Sequence, residues 1–527
     1  MNGTRKRTVV AALGIILSAS LFAGCATGAT EQDGDAEQTL VIGSQMATIS
    51  NLDTTRATSG GYENQRLIAH MMYEGLTKRD VSDPDVPAGV APALAESWTV
   101  ADDGLTYTFF LREQVTFHDG TPWDADAAVY NFDRYLNEDN PNYDPALLSW
   151  FDPGAYIESV EKVDDMTIAL HLHTPYAYLL EDLYSVYFGS PAVLEKSGGK
   201  GMAENPTGTG PFKFEEQSSP TEISFVKNDD WWGEGPKLDR IIVKLIPDPS
   251  ARTAALRSGT VDWIEGAQPD DLASLKDAGF TVTSKEFDWE WSWQLFVDRP
   301  PFDDVRVREA LNFAIDRETI ATTLLAGTAV PAQQILSSAS RFYDSANDTY
   351  EYDPEKARKL LDDAGYADGL DITVGYVSAG SGAMQPKAMN EAIQAQLAEV
   401  GINVTLQPLD FGAFYGALAG KDVDWNAANG ALNLERPGTW GWLFLCGQSW
   451  YGYCNPEVDT LLQQAASTPD DDARTAKVTE ATALLTEDAA WLSVVGDTAP
   501  RAMASSVKGF EQPMSWALDF AGVYIEE

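Results

Sequence analysis

Cysteine and histidine are scarce in this chain, with three and four residues respectively among 527. So few thiols cannot form a disulfide framework, and a hydrophobic core must hold the fold instead. Four histidines leave little material for general-base chemistry, and neither an HExxH motif nor a G-x-S-x-G elbow occurs. His171 and His173 stand two apart in a strand pattern and share a face, but no third ligand accompanies them, so no metal site is expected. Positive charge is also short: 36 Lys and Arg face 80 Asp and Glu, for a formal net charge of −44. Such a surface repels nucleic-acid phosphates and anionic lipid headgroups, which excludes a nucleic-acid role. The acidic residues are spread along the whole chain, as solubility in a salty or variable exterior requires. Long apolar runs are lacking too. The run from Val9 to Phe22 has 14 residues, too few to cross a hydrocarbon core of roughly 30 Å comfortably as a helix.

That run follows Arg5, Lys6 and Arg7, and the pattern of a basic start and a short apolar stretch reads as a secretory signal. Ala23 and Gly24 then precede Cys25, which resembles the bacterial lipobox, with Phe22 where that motif prefers Leu. The resemblance implies removal of residues 1–24 and acylation of Cys25. The protein would then sit at the outer face of the cytoplasmic membrane, or in the periplasm of a cell with an outer membrane. Residues 25–39, small and polar, lack the apolar area to fold and read as a tether. The remainder is long enough for two or three domains, and 44% apolar residues supply a sizeable core. Cys446 and Cys454, in CGQSWYGYC, are close enough to bridge across an aromatic and Gly-rich loop, and a disulfide is expected.

Strand patterns occur at Leu40 to Gly43, Thr106 to Arg112, Thr167 to His173, Asp239 to Ile246 and Val261 to Ile264. Helix patterns occur at Thr121 to Leu136, with an N-cap near Asp124, and after the turn PDPS up to Gly259. Later come helices at Asp304 to Ile315, Pro354 to Ala364, Val458 to Ala466 and Asp472 to Asp488. Asp371 to Val377, Lys387 to Val400 and Ile402 to Pro408 form a βαβ pattern. No fixed-period repeat is evident, so a mixed α/β architecture is expected and a solenoid or propeller is not.

Several segments carry a resemblance. They are ALAESWTVADDGLTYTFFLREQVTFHDGTPWDADAAVYNFDR (93–134), NPTGTGPFKF (205–214), IPDPSARTAALRSGTVD (246–262), PFDDVRVREALNFAIDRETI (301–320), YDPEKARKLLDDAGY (352–366) and YGYCNPEVDTLL (451–462). In this order they resemble the extracytoplasmic solute-binding proteins, family 5, that serve ATP-driven importers of peptides, dipeptides and nickel complexes. The resemblance implies an α/β, two-lobed periplasmic-binding-protein fold of type II, cluster C-like, with a two-segment hinge and ligand in the cleft. One lobe would use residues 40–290 plus 496–527, and the other 291–495. It also implies capture of an organic solute by lobe closure and delivery to an ABC permease with its ATPases, by a monomer without cofactor or catalysis. A stand-alone sensor or scavenger of the same fold is the alternative.

The candidate ligand residues come from three places. In FDWEWSWQLF (287–296), Phe287, Trp289, Trp291 and Trp293 alternate and share one strand face, which reads as an aromatic wall of the cleft. In WNAANGALNLERPGTWGWLF (425–444), related peptide binders carry an Asp-Pro element that pairs with a peptide ammonium. Here Glu435 and Arg436 stand at that place, with Asn429, Asn433 and Trp440 as polar and aromatic companions. A buried Arg facing an ammonium would be costly, so the expected ligand is a neutral or mixed-charge solute with a ring-like face. A modified peptide, an oligosaccharide or a glycoside would fit, and ordinary peptide stays open through Glu435. Tyr62, after two glycines, is the expected contact from the opposite lobe.

Overall fold

The computed structural model describes residues 37–46, 49, 52–53, 65–143, 155–197, 201–379, 384–421, 423–515 and 517–526. Cys25 and Tyr62 lie outside the described residues. Three main sheets organise them. A seven-stranded mixed sheet runs, in spatial order, through Thr281–Thr283, Arg501–Met503, Trp263–Glu265, Thr39–Ser44, Arg240–Leu245, Glu222–Lys227 and Phe212–Ser219. A four-stranded antiparallel sheet holds Ala95–Val100, Thr106–Leu111, Thr167–Leu172 and Ile157–Asp164. A six-stranded sheet runs through Ala329–Pro331, Trp491–Asp497, Trp289–Leu295, Ala427–Asn433, Leu370–Val377 and Ile402–Leu409. The chain passes from the seven-stranded to the six-stranded sheet between Thr283 and Trp289, and returns between Asp497 and Arg501.

The cores divide along the same line. Two large clusters draw their buried members only from the segment Trp291 to Val495. Three others draw theirs from residues 40–275 and 502–523. Phe287 and Trp289 form a small separate cluster at the crossover, packed on Ala431 and Ala499.

Local sequence explains most elements. The surplus of aspartate is used at helix starts: Asp124, Asp248, Asp353, Asp410 and Asp470 each accept a hydrogen bond from the backbone N–H three residues on. A carboxylate there satisfies an orphan donor and faces the positive end of the helix dipole. The first such helix, Ala125–Leu136, begins four residues later than its pattern, because Asp124 is its cap and Pro122 is held in a bridge to Thr116. The βαβ pattern is realised, with Leu370–Val377 and Ile402–Leu409 pairing in parallel around the helix Pro386–Glu399.

The TGTG turn shows why glycine is needed in one motif. A Cβ at Gly208 would meet the Met72 carbonyl oxygen at 2.1 Å, and one at Gly210 the Met71 carbonyl oxygen at 2.5 Å. His118 ties this turn to the FHDGT motif, with its Nε2 3.0 Å from the Gly210 carbonyl. The sulfurs of Cys446 and Cys454 lie 2.12 Å apart.

Candidate functional site

Trp289–Leu295 is an interior strand, paired on one side with Ala427–Asn433 and on the other with Trp491–Asp497. Every residue of this strand is also buried, so both its faces are covered and the alternating tryptophans become core. Trp291 and Trp293 are 1% and 0% exposed and pack among Leu311, Val374 and Ile393. Trp293 Nε1 donates to Asn390 Oδ1 at 2.7 Å, and Asn390 Nδ2 donates to Asn429 Oδ1 at 2.8 Å. Asn429 Nδ2 donates in turn to the Ser292 carbonyl at 2.8 Å. Trp291, Trp293 and Asn429 are thus packed and hydrogen-bonded inside the protein. Trp440 is buried too, packed edge-on against Phe342 and Phe444. Trp289 stays at the crossover beside Phe287.

The loop that follows Ala427–Asn433 is different. Asn433 Oδ1 accepts the backbone N–H of Glu435 at 2.9 Å, turning the chain. Glu435 and Arg436 then face the N-terminal half of the protein. Arg79, on the strand Thr77–Asp80, donates to Glu435 Oε2 at 2.8 Å. Arg436 donates to Asp182 Oδ1 at 3.3 Å, at the end of the short helix Leu179–Asp182. A third pair joins Arg341 Nη2 to Glu181 Oε1 at 2.7 Å. The guanidinium groups of Arg79 and Arg436 both lie over the Tyr184 ring, 5.0 and 5.5 Å from its centroid. Sequence reasoning reached Glu435 and Arg436 but gave them no partner from the other side of the junction.

Burial governs the electrostatics here. Desolvation pushes the Asp182 carboxyl up to about 6, against the opposing pull of Arg436 and of the Tyr176 hydroxyl. Asp288 is pushed up to about 7 by burial, with a hydrogen bond from Ser340 opposing and the Glu435 charge adding. For Arg79 burial is the largest influence and works against the charge, but Glu435, Tyr184 and Glu181 together outweigh it and the guanidinium is held above its ordinary value. A cavity of about 420 Å³ lies at this junction, lined from one side by Arg79 and Glu181 and from the other by Asp288, Arg341, Glu435 and Arg474. Val90, Leu180 and Met514 supply apolar wall. The arrangement can recognise polar groups of a solute while its apolar surface shields them from water.

Residues 89–452 match the model of bacterial extracellular solute-binding proteins, family 5 Middle. The chain belongs to this family. It is 31% identical to heme-binding protein A of Haemophilus influenzae over 462 residues, covering 83% of this chain and 84% of that protein. Glutathione-binding protein GsiB of Salmonella paratyphi A is 29% identical over 522 residues, 95% of each chain. Among solved structures, the periplasmic binding protein DppA of Helicobacter pylori, in complex with the peptide STSA, superposes with a TM-score of 0.80 at 25% identity. That match covers 93% of this chain and 98% of the other. The fold is therefore the two-lobed one of the family's periplasmic members.

Proposed function

We propose that this chain is the extracytoplasmic substrate-binding component of an ABC importer, which captures an organic solute between its lobes and hands it to a permease. The observation that carries this reading is the family match across residues 89–452, joined to a charged cavity that takes its lining from both sides of the crossover. The lobes divide where the chain changes sheets, near residues 284–288 and 498–500, close to the boundaries at 290/291 and 495/496 expected from the sequence. Those two crossings are the hinge. Ligand that touches both sides favours the closed form by its differential affinity alone.

The ligand reading shifts with the geometry. Of the alternating tryptophans that would stack on a sugar or glycoside, Trp291 and Trp293 are packed in the hydrophobic core. A solute with charged groups, such as a peptide or modified peptide, is better supported by the Arg and carboxylate lining. The glutathione- and peptide-binding relatives are in keeping with that. Cys25 is the lipid anchor, the residues from 25 up to the first strand are the tether, which ends before the expected residue 39 because Thr39 already pairs with Arg240, and Cys446 and Cys454 are a disulfide; the protein acts as a monomer and performs no chemistry on its cargo.

Native mass spectrometry of protein purified from its own cells should show a carried-over small molecule. Small-angle scattering should then show a smaller radius of gyration when that molecule is added back to stripped protein. An unchanged radius at saturation would refute the hinge. Cys25→Ser should release the protein from the membrane fraction, since each buried CH₂ of an acyl chain contributes about 0.8 kcal/mol to anchoring.

A further inference from the structure

The junction cavity is one cation short. Its lining includes four carboxylates, on Glu181, Asp288, Glu435 and Asp471, and three guanidinium groups, on Arg79, Arg341 and Arg474. Each guanidinium holds a carboxylate, Arg79 that of Glu435, Arg341 those of Glu181 and Asp471, and Arg474 that of Asp471, while Arg79 Nε and Arg474 Nε are buried without an acceptor among the described residues. Asp288 makes no ion pair among the described residues, although it is only 5% exposed. Arg79 acts on it through space, but its terminal nitrogen is held by Glu435.

Hydrogen-bond accounting points the same way. Asp288 Oδ1, Glu435 Oε1 and Glu181 Oε2 are buried with no donor among the described residues. Three orphan acceptors on residues lining one cavity are an expensive arrangement, since a buried polar atom without a partner keeps its full desolvation penalty, and a charged one a larger penalty. Protonating Asp288 would remove one negative charge, yet it would leave the oxygens of Glu435 and Glu181 without donors. A group that brings one positive charge and several N–H donors meets both deficits. A guanidinium fits better than an ammonium. It offers five donors in a planar fork, and its weak hydration suits walls such as Val90, Leu180 and Met514.

We propose that this cavity is a subsite for a guanidinium group of the transported solute, with Asp288 as its counter-ion and Glu435 and Glu181 as further acceptors. The proposal rests on the reading of the chain as a solute-binding protein and names a chemical feature of its cargo. It makes the junction a specificity device: the internal Arg pairs neutralise three carboxylates and leave one charge for the ligand to supply.

The test uses three probes of one shape on the full soluble domain: butylguanidinium, butylammonium and the neutral butylurea. Binding is read by calorimetry and by the shift in melting temperature. Butylguanidinium should bind, butylurea should bind at least about tenfold more weakly, and butylammonium should fall between them. Asp288→Asn should abolish the advantage of butylguanidinium over butylurea. Melting of the unliganded variant, expected to be unimpaired because an unpaired buried charge is removed, shows that it folds. Equal binding of guanidinium and urea, equal or stronger binding of the ammonium, or an unchanged preference in Asp288→Asn would overturn the assignment. These failures are distinct from failure of the transport reading: a carried-over solute that lacks a guanidinium and still contracts the protein in solution would sink the subsite and leave the solute-binding function intact.

Discussion

Arg79 and Glu435 meet at 2.8 Å although 356 positions separate them in the chain, and their side chains are 5% and 12% exposed. The pair fastens the strand Thr77–Asp80 to the loop after Ala427–Asn433. Two more pairs, Arg436 with Asp182 and Arg341 with Glu181, cross the same junction. Replacing one member of a buried pair leaves the other as an uncompensated charge, at a cost of about 3–5 kcal/mol. Glu435→Gln should lie near the low end, because Asp288 and Glu181 remain close enough to act on the Arg79 charge. Denaturant unfolding of Glu435→Gln, Arg79→Met and the double variant checks this. The double variant should be more stable than the sum of the single losses implies, by at least about 1 kcal/mol. Strict additivity would show that the two side chains do not interact.

Three buried carboxyl groups give stability a definite slope with pH. Burial pushes Glu74 and Asp288 up to about 7 and Asp182 up to about 6. In the unfolded chain these groups titrate near 4, so between about pH 4 and 7 the folded state holds more protons than the unfolded one. These three groups therefore make stability fall as pH rises through that window, outweighing the smaller opposite contribution of His70 and His118, which burial lowers to about 4. Stability is greatest near the lower end, where all three are protonated when folded. The melting temperature should rise as pH is lowered from 8 to about 5, and Asp288→Asn should make the curve shallower. A melting temperature that falls over this range would contradict the direction of the shifts. Partial neutralisation of the −44 net charge acts in the same direction, so the change of slope in Asp288→Asn is the specific readout.

Much of the fold is legible in the sequence, and the reason is local. Aspartates that open helices and alternation that marks strands depend on neighbours a few positions away, and the helices after Asp248, Asp353 and Asp470 follow closely. The site is less legible. Alternation in FDWEWSWQLF shows that the tryptophans share a face, but not whether that face is open. That depends on what packs over the sheet, here Leu311 and Ile393 on helices that come later in the chain. Asp182 and Arg79 carry no local signal at all. In a chain with 80 acidic residues one more carboxylate is unremarkable, and the partner of Asp182 is 254 positions away. Asp288 had a faint one, as an acid placed between Phe287 and Trp289.

The polar chain Trp293–Asn390–Asn429 makes a prediction that separates core from cleft. Trp293→Phe keeps an aromatic ring but leaves Asn390 Oδ1, buried in the core, without its donor. The loss should be about 1–3 kcal/mol, with the affinity for the native solute changed by less than about twofold. Chemical denaturation and calorimetry measure the two quantities independently. A loss of affinity with stability intact would return Trp293 to the ligand site.

Cys446 and Cys454 give the last prediction. The backbone N–H of Cys446 donates to Asp459, on the helix Pro456–Ala466, at 3.1 Å to one carboxylate oxygen. A bond between the two sulfurs would thus close a small loop at the start of that helix. Their separation of eight positions makes the loop short, and short loops gain least from cross-linking. The chain-entropy relation gives about 2.5 kcal/mol for a closure of this size. Replacing both residues by alanine should lower stability by about that amount, and reducing agent should lower the wild type equally while leaving the double variant unmoved. Alkylation of the unfolded protein followed by intact-mass measurement checks the bond directly: the two thiols should become reactive only after reduction. Alkylation of both without reductant would show that the pair is free, and the stability difference would then have to come from packing around Tyr451 and Tyr453, which are buried in the same loop.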